Sequence, residues 1–339
     1  PDAGAPDEAS APISAVVLDQ GGLDEVAIGL AVGALVATSE EDDVAPPIPL
    51  VAPPRSRRAR LRRERDCEIW VSVLGRVPEV AGWATPVRGR RKLTEVFVYL
   101  AVYGTERAIP GGELRTHCWP PQVVTAVPGE RPQLREVSPE SFHQAMSRLR
   151  KQLGEGAAGW HLPPAVDGAY GIGPGVGCDW TLFRALAATG SDAAARHETG
   201  RAIEAWREAL ELVRGQPFAD VAPRSYVWAD SEQLVTDIRL AVAKVAHDLA
   251  ALTSESEPET ALWATQQGLL LLPTQLSLFD QAMAAAAEMG DVDGIERAFA
   301  AKCWACEQLD PDGGVPAETT ELYRHLMAKA EVARVGASR

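Results

Sequence analysis

Three groups of residues in the 339-residue chain have types and spacing that could do chemistry. Cys303 and Cys306 form a Cys-Trp-Ala-Cys. A pair at this spacing serves redox chemistry when it follows a strand, or supplies half a zinc site when a second ligand pair lies nearby. Neither condition is met, because AFAAKCWACEQL reads as helix throughout and no second pair accompanies it, so these are read as buried structural cysteines. Residues 171–177, GIGPGVG, contain a G-x-G. A phosphate loop needs a strand before it, a helix after it and amides converging on the anion. Pro174 interrupts this run and Cys178-Asp179 follows, so it is read as a flexible connection between domains. The third group is SFHQAMSRLRKQLG at 141–154. Phe142, Met146, Leu149 and Leu153, with Ala145 beside them, recur at helical spacing and form a core-facing stripe. Ser141, His143, Gln144, Ser147, Arg148, Arg150 and Lys151 cover the rest of the helix, without an acid among them. Such a face suits nucleic acid, with cations anchoring phosphates and Ser, His and Gln meeting base edges. An ordinary solvated face is the alternative, and the surrounding elements must decide between them.

The remaining reactive types do not assemble into a catalytic pattern. The six histidines are scattered at 117, 143, 161, 197, 247 and 325, and there is no GxSxG, no His-x-x-x-His and no paired-carboxylate motif. The chain is therefore read as no enzyme, with no cofactor and no metal. Five cysteines without framework spacing suit a reducing, cytoplasmic setting. The apolar stretch Val26–Ala37 is too short for a bilayer crossing, which needs about 20 residues, so no membrane contact is expected. The chain opens on Pro1 rather than Met, which reads as a fragment or a processed product.

Net charge is −14, but it is unevenly spread. Residues 1–54 hold ten acids and no Lys or Arg; their first dozen residues should be disordered, and 13–38 could form a strand and a short helix left from an upstream region. Prolines and then an arginine run follow, so 55–66 reads as a basic linker whose arm is Arg57, Arg58, Arg60, Arg62 and Arg63. Residues 66–155 carry +2 and the remainder −12, which confines any nucleic-acid contact to about 55–155.

Within 67–177, EIWVSVLGRVPEVAGWATPV alternates as short antiparallel strands. A helix follows with the stripe Leu93, Val96, Phe97, Leu100, Ala101 and a stop at Gly104. Pro110–Trp119 reads as a second short helix. After it, VVTAVPGERPQLREV reads as a long polar loop. Ser138-Pro139 then starts the third helix as N-cap and first-turn proline, and Gly154 ends it. Residues 160–173 suggest two strands with a turn near Asp167-Gly168. This order is that of a winged helix-turn-helix, whose third helix enters the major groove. Residues 178–335 are nearly all helix, with small residues alternating with large ones. Ala261 and Ile295 stand 34 residues apart, the tetratricopeptide period, so an α-solenoid of about three helix pairs is expected. SYVWADSEQLVTDIRLAVAKVAHDLAAL reads as one longer helical segment within it. The fold class is thus α+β followed by all-α.

The motifs VSVLGRVPEV, GRRKLTEVFVYLA, ELRTHCWP, SRLRKQLG, AYGI, DWTLFRAL, ALELVRGQPF and GLLLLP occur in an order that resembles the actinobacterial regulators of the antibiotic regulatory protein type. These join an OmpR-like winged helix to a bacterial transcriptional activator domain. The resemblance covers about Glu68 to Lys329. It implies a transcriptional regulator whose winged helix binds promoter repeats in double-stranded DNA. It also implies a helical domain that supports dimerisation or contact with RNA polymerase or another protein. Glu140 stands where members tend to carry polar or basic residues, and the 120–137 loop is longer than theirs. A protein-interaction scaffold that keeps the winged-helix fold without binding DNA is the second reading.

Overall fold

The computed structural model describes residues 67–83, 91–125 and 133–337. The expectations for residues 1–66, including the strand and short helix at 13–38 and the arm Arg57, Arg58, Arg60, Arg62, Arg63, lie outside the described residues. Strand β1 (Ile69–Ser72) is buried along its whole length and pairs antiparallel with β2 (Glu79–Ala81), Val71 opposite Val80. Helix α1 (Arg91–Tyr103) buries the expected Leu93, Val96, Phe97, Leu100 and Ala101. It buries Val98, Tyr99 and Val102 as well, so α1 is enclosed on a second side that an amphipathic stripe does not announce. Strand β3 (Ile109–Pro110) leads straight into α2 (Gly111–Cys118).

The stretch read as a polar loop forms a two-stranded ribbon, β4 (Gln122–Thr125) antiparallel to β5 (Gln133–Arg135), with an irregularity between Val123 and Thr125. The β-branched Val-Val-Thr run favours extended backbone, a signal outweighed in the sequence reading by the polar residues around it. Helix α3 (Pro139–Leu153) begins as expected: the Ser138 hydroxyl accepts from the Ser141 amide at 3.2 Å and Pro139 occupies the first turn. Gly154 ends it at φ 69°, a conformation that costs glycine nothing and other residues about 1–2 kcal/mol.

Four short strands follow. β6 (Glu155–Gly156) and β7 (Gly159–Trp160) make a small hairpin. Asp167 and Gly168 form the predicted turn, both at positive φ, closed by a bridge between Val166 and Ala169. β8 (Ala169–Tyr170) pairs with β3, tying this segment to the start of α2. β9 (Val176–Cys178) lies parallel to β1, with Trp70 opposite Gly177. The glycine run is therefore no flexible connection. Its last two residues, Val176 and Gly177, are sheet, and the turn before them is anchored by Glu68 and Ile69 amides donating to Gly175 O. Gly177 suits this place because a Cβ there would meet the Trp70 ring at 2.6 Å.

The rest is helical: α4 (Asp179–Ala195), α5 (Thr199–Glu211), α6 (Val227–Ser231), α7 (Leu234–Thr253), α8 (Pro258–Leu271), α9 (Leu276–Glu288), α10 (Val292–Leu309) and α11 (Ala317–Ala337). Successive helices pack on one another, α4 on α5, α7 on α8, α8 on α9 and α9 on α10, with α11 against α9 and α10. Ala261 and Ile295, one period apart, are both fully buried. Cys303 and Cys306 lie on α10, where burial raises both thiols above their usual range. The segment read as one long helix is broken instead into α6 and α7 by left-handed backbone at Gln233 (φ 58°), with Tyr226 (φ 56°) before it. These turns place Trp228, fully buried, edge-on to Tyr99 at 4.9 Å and Tyr103 at 6.1 Å. That contact covers the second side of α1, and burying so large a ring offsets the cost of the strained backbone. Among the described residues, no helix is long and apolar enough to cross a membrane.

The two halves meet without a linker, since α4 starts at the residue after β9. Its first residue, Asp179, is 2% exposed; one carboxylate oxygen accepts from the Val73 amide at 2.7 Å and the other from the Leu74 amide at 3.1 Å. The turn after β1 is gripped further by Arg214 N donating to Leu74 O at 2.7 Å and by a bidentate Arg76–Asp220 pair. Burial, opposed by the two amides and Arg214, pushes the Asp179 carboxyl up to about 6 from 3.8. A folded value above the unfolded one means the protonation-linked part of this group's contribution is complete below about pH 4 and lost as pH rises through about 6, leaving the amide contacts of the carboxylate above it. Asp179→Ala, which strands two buried amides, should cost about 3 kcal/mol in urea denaturation at pH 7. Asp179→Asn should also remove this group's pH-dependent component, so the stability gap between wild type and variant should change between pH 4 and 7.

Candidate nucleic-acid interface

Helix α3 rests on an aromatic cluster that joins three elements. Phe142, 2% exposed, meets Trp119 edge-on at 5.7 Å and Tyr170 of β8 at the same distance. Arg115 of α2 holds its guanidinium 6.0 Å from the Phe142 ring centre. Gly111 allows this approach, since a Cβ there would meet the Phe142 ring at 3.2 Å. Met146, Leu149 and Leu153 continue the buried stripe. The apolar pattern thus fixes the rotation of α3 about its axis, and the polar residues are aimed outward as a consequence.

On that outward face Ser141, His143, Gln144, Ser147, Arg148 and Lys151 are all exposed. Among the described residues, Arg148 and Lys151 form no ion pair or hydrogen bond. Glu140 is exposed beside them in the first turn. His143 is not wholly free, because its Nδ1 lies 3.5 Å from the Tyr170 hydroxyl. Arg150, expected on the same face, is placed differently. It is half-buried; its Nε donates to Leu162 O at 3.0 Å and its Nη2 to Pro163 O at 3.2 Å.

Sequence reasoning missed several residues around this face. Arg115 of α2 stands beside the α3 N-terminal half; the signal was a cation in a helix treated as mere support. Glu68 was passed over as one residue of a strand. Its carboxylate accepts from the Ala157 amide at 2.7 Å and lies 3.0 Å from His161 Nε2, while His161 Nδ1 lies 2.9 Å from Leu153 O. The Ala157 amide holds the Glu68 carboxyl below its usual range, opposed by burial and assisted by His161. The segment 154–173 contains no Lys or Arg, so the hairpin region offers no cationic side chain beside α3.

Behind the face, the helical half touches α2 directly. His117 stacks on Tyr99 at 5.5 Å and its Nδ1 lies 3.1 Å from Glu232 Oε1. The Tyr99 hydroxyl donates to Glu113, which also receives a bidentate pair from Arg107. The candidate face is therefore backed by a continuous packed body. Among the described residues, no group of three or more metal-ligating side chains gathers.

Comparison with known proteins places residues 178–300 in register with the family model of the bacterial transcriptional activator domain. No curated protein matches the chain. Among solved structures, EmbR of Mycobacterium tuberculosis in complex with a low-affinity phosphopeptide is similar at 20% identity and a TM-score of 0.49, over 80% of this chain and 69% of that one.

Phe142→Ala should destabilise the protein by about 3–5 kcal/mol in urea denaturation, because the cavity would open between α2, α3 and β8 at once. A loss below about 1 kcal/mol would mean that these elements do not share one core.

Proposed function

We propose that this chain is a cytoplasmic DNA-binding transcriptional regulator. Residues 67–177 act as an OmpR-like winged helix, and 178–335 as a helical repeat domain that pairs with a second copy or contacts RNA polymerase. The observation that carries this reading is the outward row on α3, where Arg148 and Lys151 are exposed and, among the described residues, unpaired in a protein of net charge −14. Evenly acidic chemistry would place acids opposite such cations; here they are left for a partner. The match of 178–300 to the bacterial transcriptional activator domain supports it from the other half.

In this reading α3 lies in the major groove of promoter DNA. Arg148 and Lys151 anchor phosphates, and Ser141, His143, Gln144 and Ser147 face base edges. Glu140 narrows the choice of bases, since a carboxylate accepts from cytosine N4 and is repelled by phosphate. Arg115 and the arm Arg57, Arg58, Arg60, Arg62 and Arg63 add backbone contacts. With only +2 over residues 66–155, one copy binds modestly, and repeated sites occupied by two copies supply the missing affinity.

The scaffold reading retains one specific support: the cation-free segment 154–173 together with exposed Glu140. The two readings separate by salt. A duplex selected by this chain from a random-sequence pool should bind with log Kd rising steeply with log salt. Arg148→Ala with Lys151→Ala should weaken binding at least tenfold and flatten the slope by about two. Failure to select any duplex, or binding indifferent to salt and to both substitutions, would leave the scaffold.

A further inference from the structure

The end of α3 is fastened to the segment after it by more polar contacts than a helix end requires. The last carbonyls of a helix have no partner within it. Here the Leu153 carbonyl faces His161 Nδ1 at 2.9 Å, and the Gly154 carbonyl accepts from the His161 amide at 3.2 Å. Arg150, one turn back, reaches over the same segment to Leu162 O and Pro163 O. Glu68 closes the set from the start of β1, receiving the Ala157 amide and facing His161 Nε2. Residues from 157 to 163 are thereby held to α3 on one side and to the sheet on the other. His161 is buried at the centre, at 6% exposure.

A guanidinium is suited to this task because its planar fork donates in two directions at once, which an ammonium cannot reproduce. Arg148 and Lys151, on neighbouring positions of the same helix, have no such partners among the described residues. The cations of α3 thus divide by use. We propose that Arg150 is a positioning residue of the interface and not a phosphate anchor: with the His161–Glu68 pair it latches the 155–170 hairpin region to the end of α3, fixing the angle at which both meet DNA. The proposal rests on the DNA-binding reading for its consequence, but the latch itself is testable without DNA.

Salt dependence separates the roles, because only a residue that neutralises a phosphate changes the slope of log Kd against log salt. On the selected duplex, Arg150→Gln should weaken binding about tenfold with the slope unchanged, whereas Arg148→Gln should lower the slope by about one. Arg150→Lys should keep the charge yet fail to rescue affinity. Without DNA, Arg150→Gln and Glu68→Gln should each speed hydrogen exchange at amides 155–170 by about tenfold or more, while α7 and α8 keep wild-type protection. Unchanged exchange in 155–170 overturns the latch whatever the DNA result. A slope that falls in Arg150→Gln as it does in Arg148→Gln, or full rescue by Arg150→Lys, overturns the positioning role. If Arg148→Gln and Lys151→Gln change neither affinity nor slope while the exchange result holds, the DNA reading fails and the latch stands as a purely structural device.

Discussion

A single buried carboxylate sets the frame in which everything else is placed. Asp179 accepts the amides of Val73 and Leu74 with its two oxygens, at the point where the strand-rich half becomes helix. Backbone amides removed from water at a turn must find an acceptor. The first residue of α4 provides it. The same contact keeps β9 alongside β1, starts α4 in a fixed direction and brings the loop around Arg214 and Asp220 against the turn. Asp179 does this at the cost of burying a charge, which the two amides and Arg214 only partly offset.

Against that frame, the division of the basic residues becomes intelligible. Arg76, Arg107 and Arg214 are each held by carboxylates within the fold, and Arg150 by backbone carbonyls. Exposed pairs of this kind stabilise little, typically below about 1 kcal/mol, but they fix geometry. Arg148 and Lys151 lie outside this bonding. The distinction is one of neighbours rather than residue type, and it emerges only when the chain has folded.

The sequence carried the elements whose signal is periodic or positional. The stripe of α3, its Ser138-Pro139 start and its Gly154 stop are visible without coordinates, because each follows from helix geometry over adjacent residues. The turn at Asp167-Gly168 and the helical character of 178–335 were legible for the same reason. Features that depend on distant partners were not. The covering of a second side of α1 involves Trp228, far along the chain. The pairing of β9 with β1 joins segments about a hundred residues apart, and only the folded sheet shows that Gly177 is there for the Trp70 ring. Arg150 was read onto the outward face of α3, and helical spacing cannot show that a later segment passes within reach of its guanidinium. The ribbon of β4 and β5 was hidden in a different way, since its few β-branched residues lie among polar ones.

Because β9 ends and α4 begins on consecutive residues, the two halves share no hinge. A regulator whose domains hang on a flexible tether can adjust the span between what its two ends hold. Here β9 runs directly into α4, and the turn after β1 is bonded to Asp179 and Arg214. In the proposed reading, what rests on α3 and what docks on the helices are therefore offset by a set distance and rotation. On that same reading, moving one binding site along a duplex by a few base pairs would swing the second contact around the helical axis, out of reach of a partner that a tethered domain could still follow.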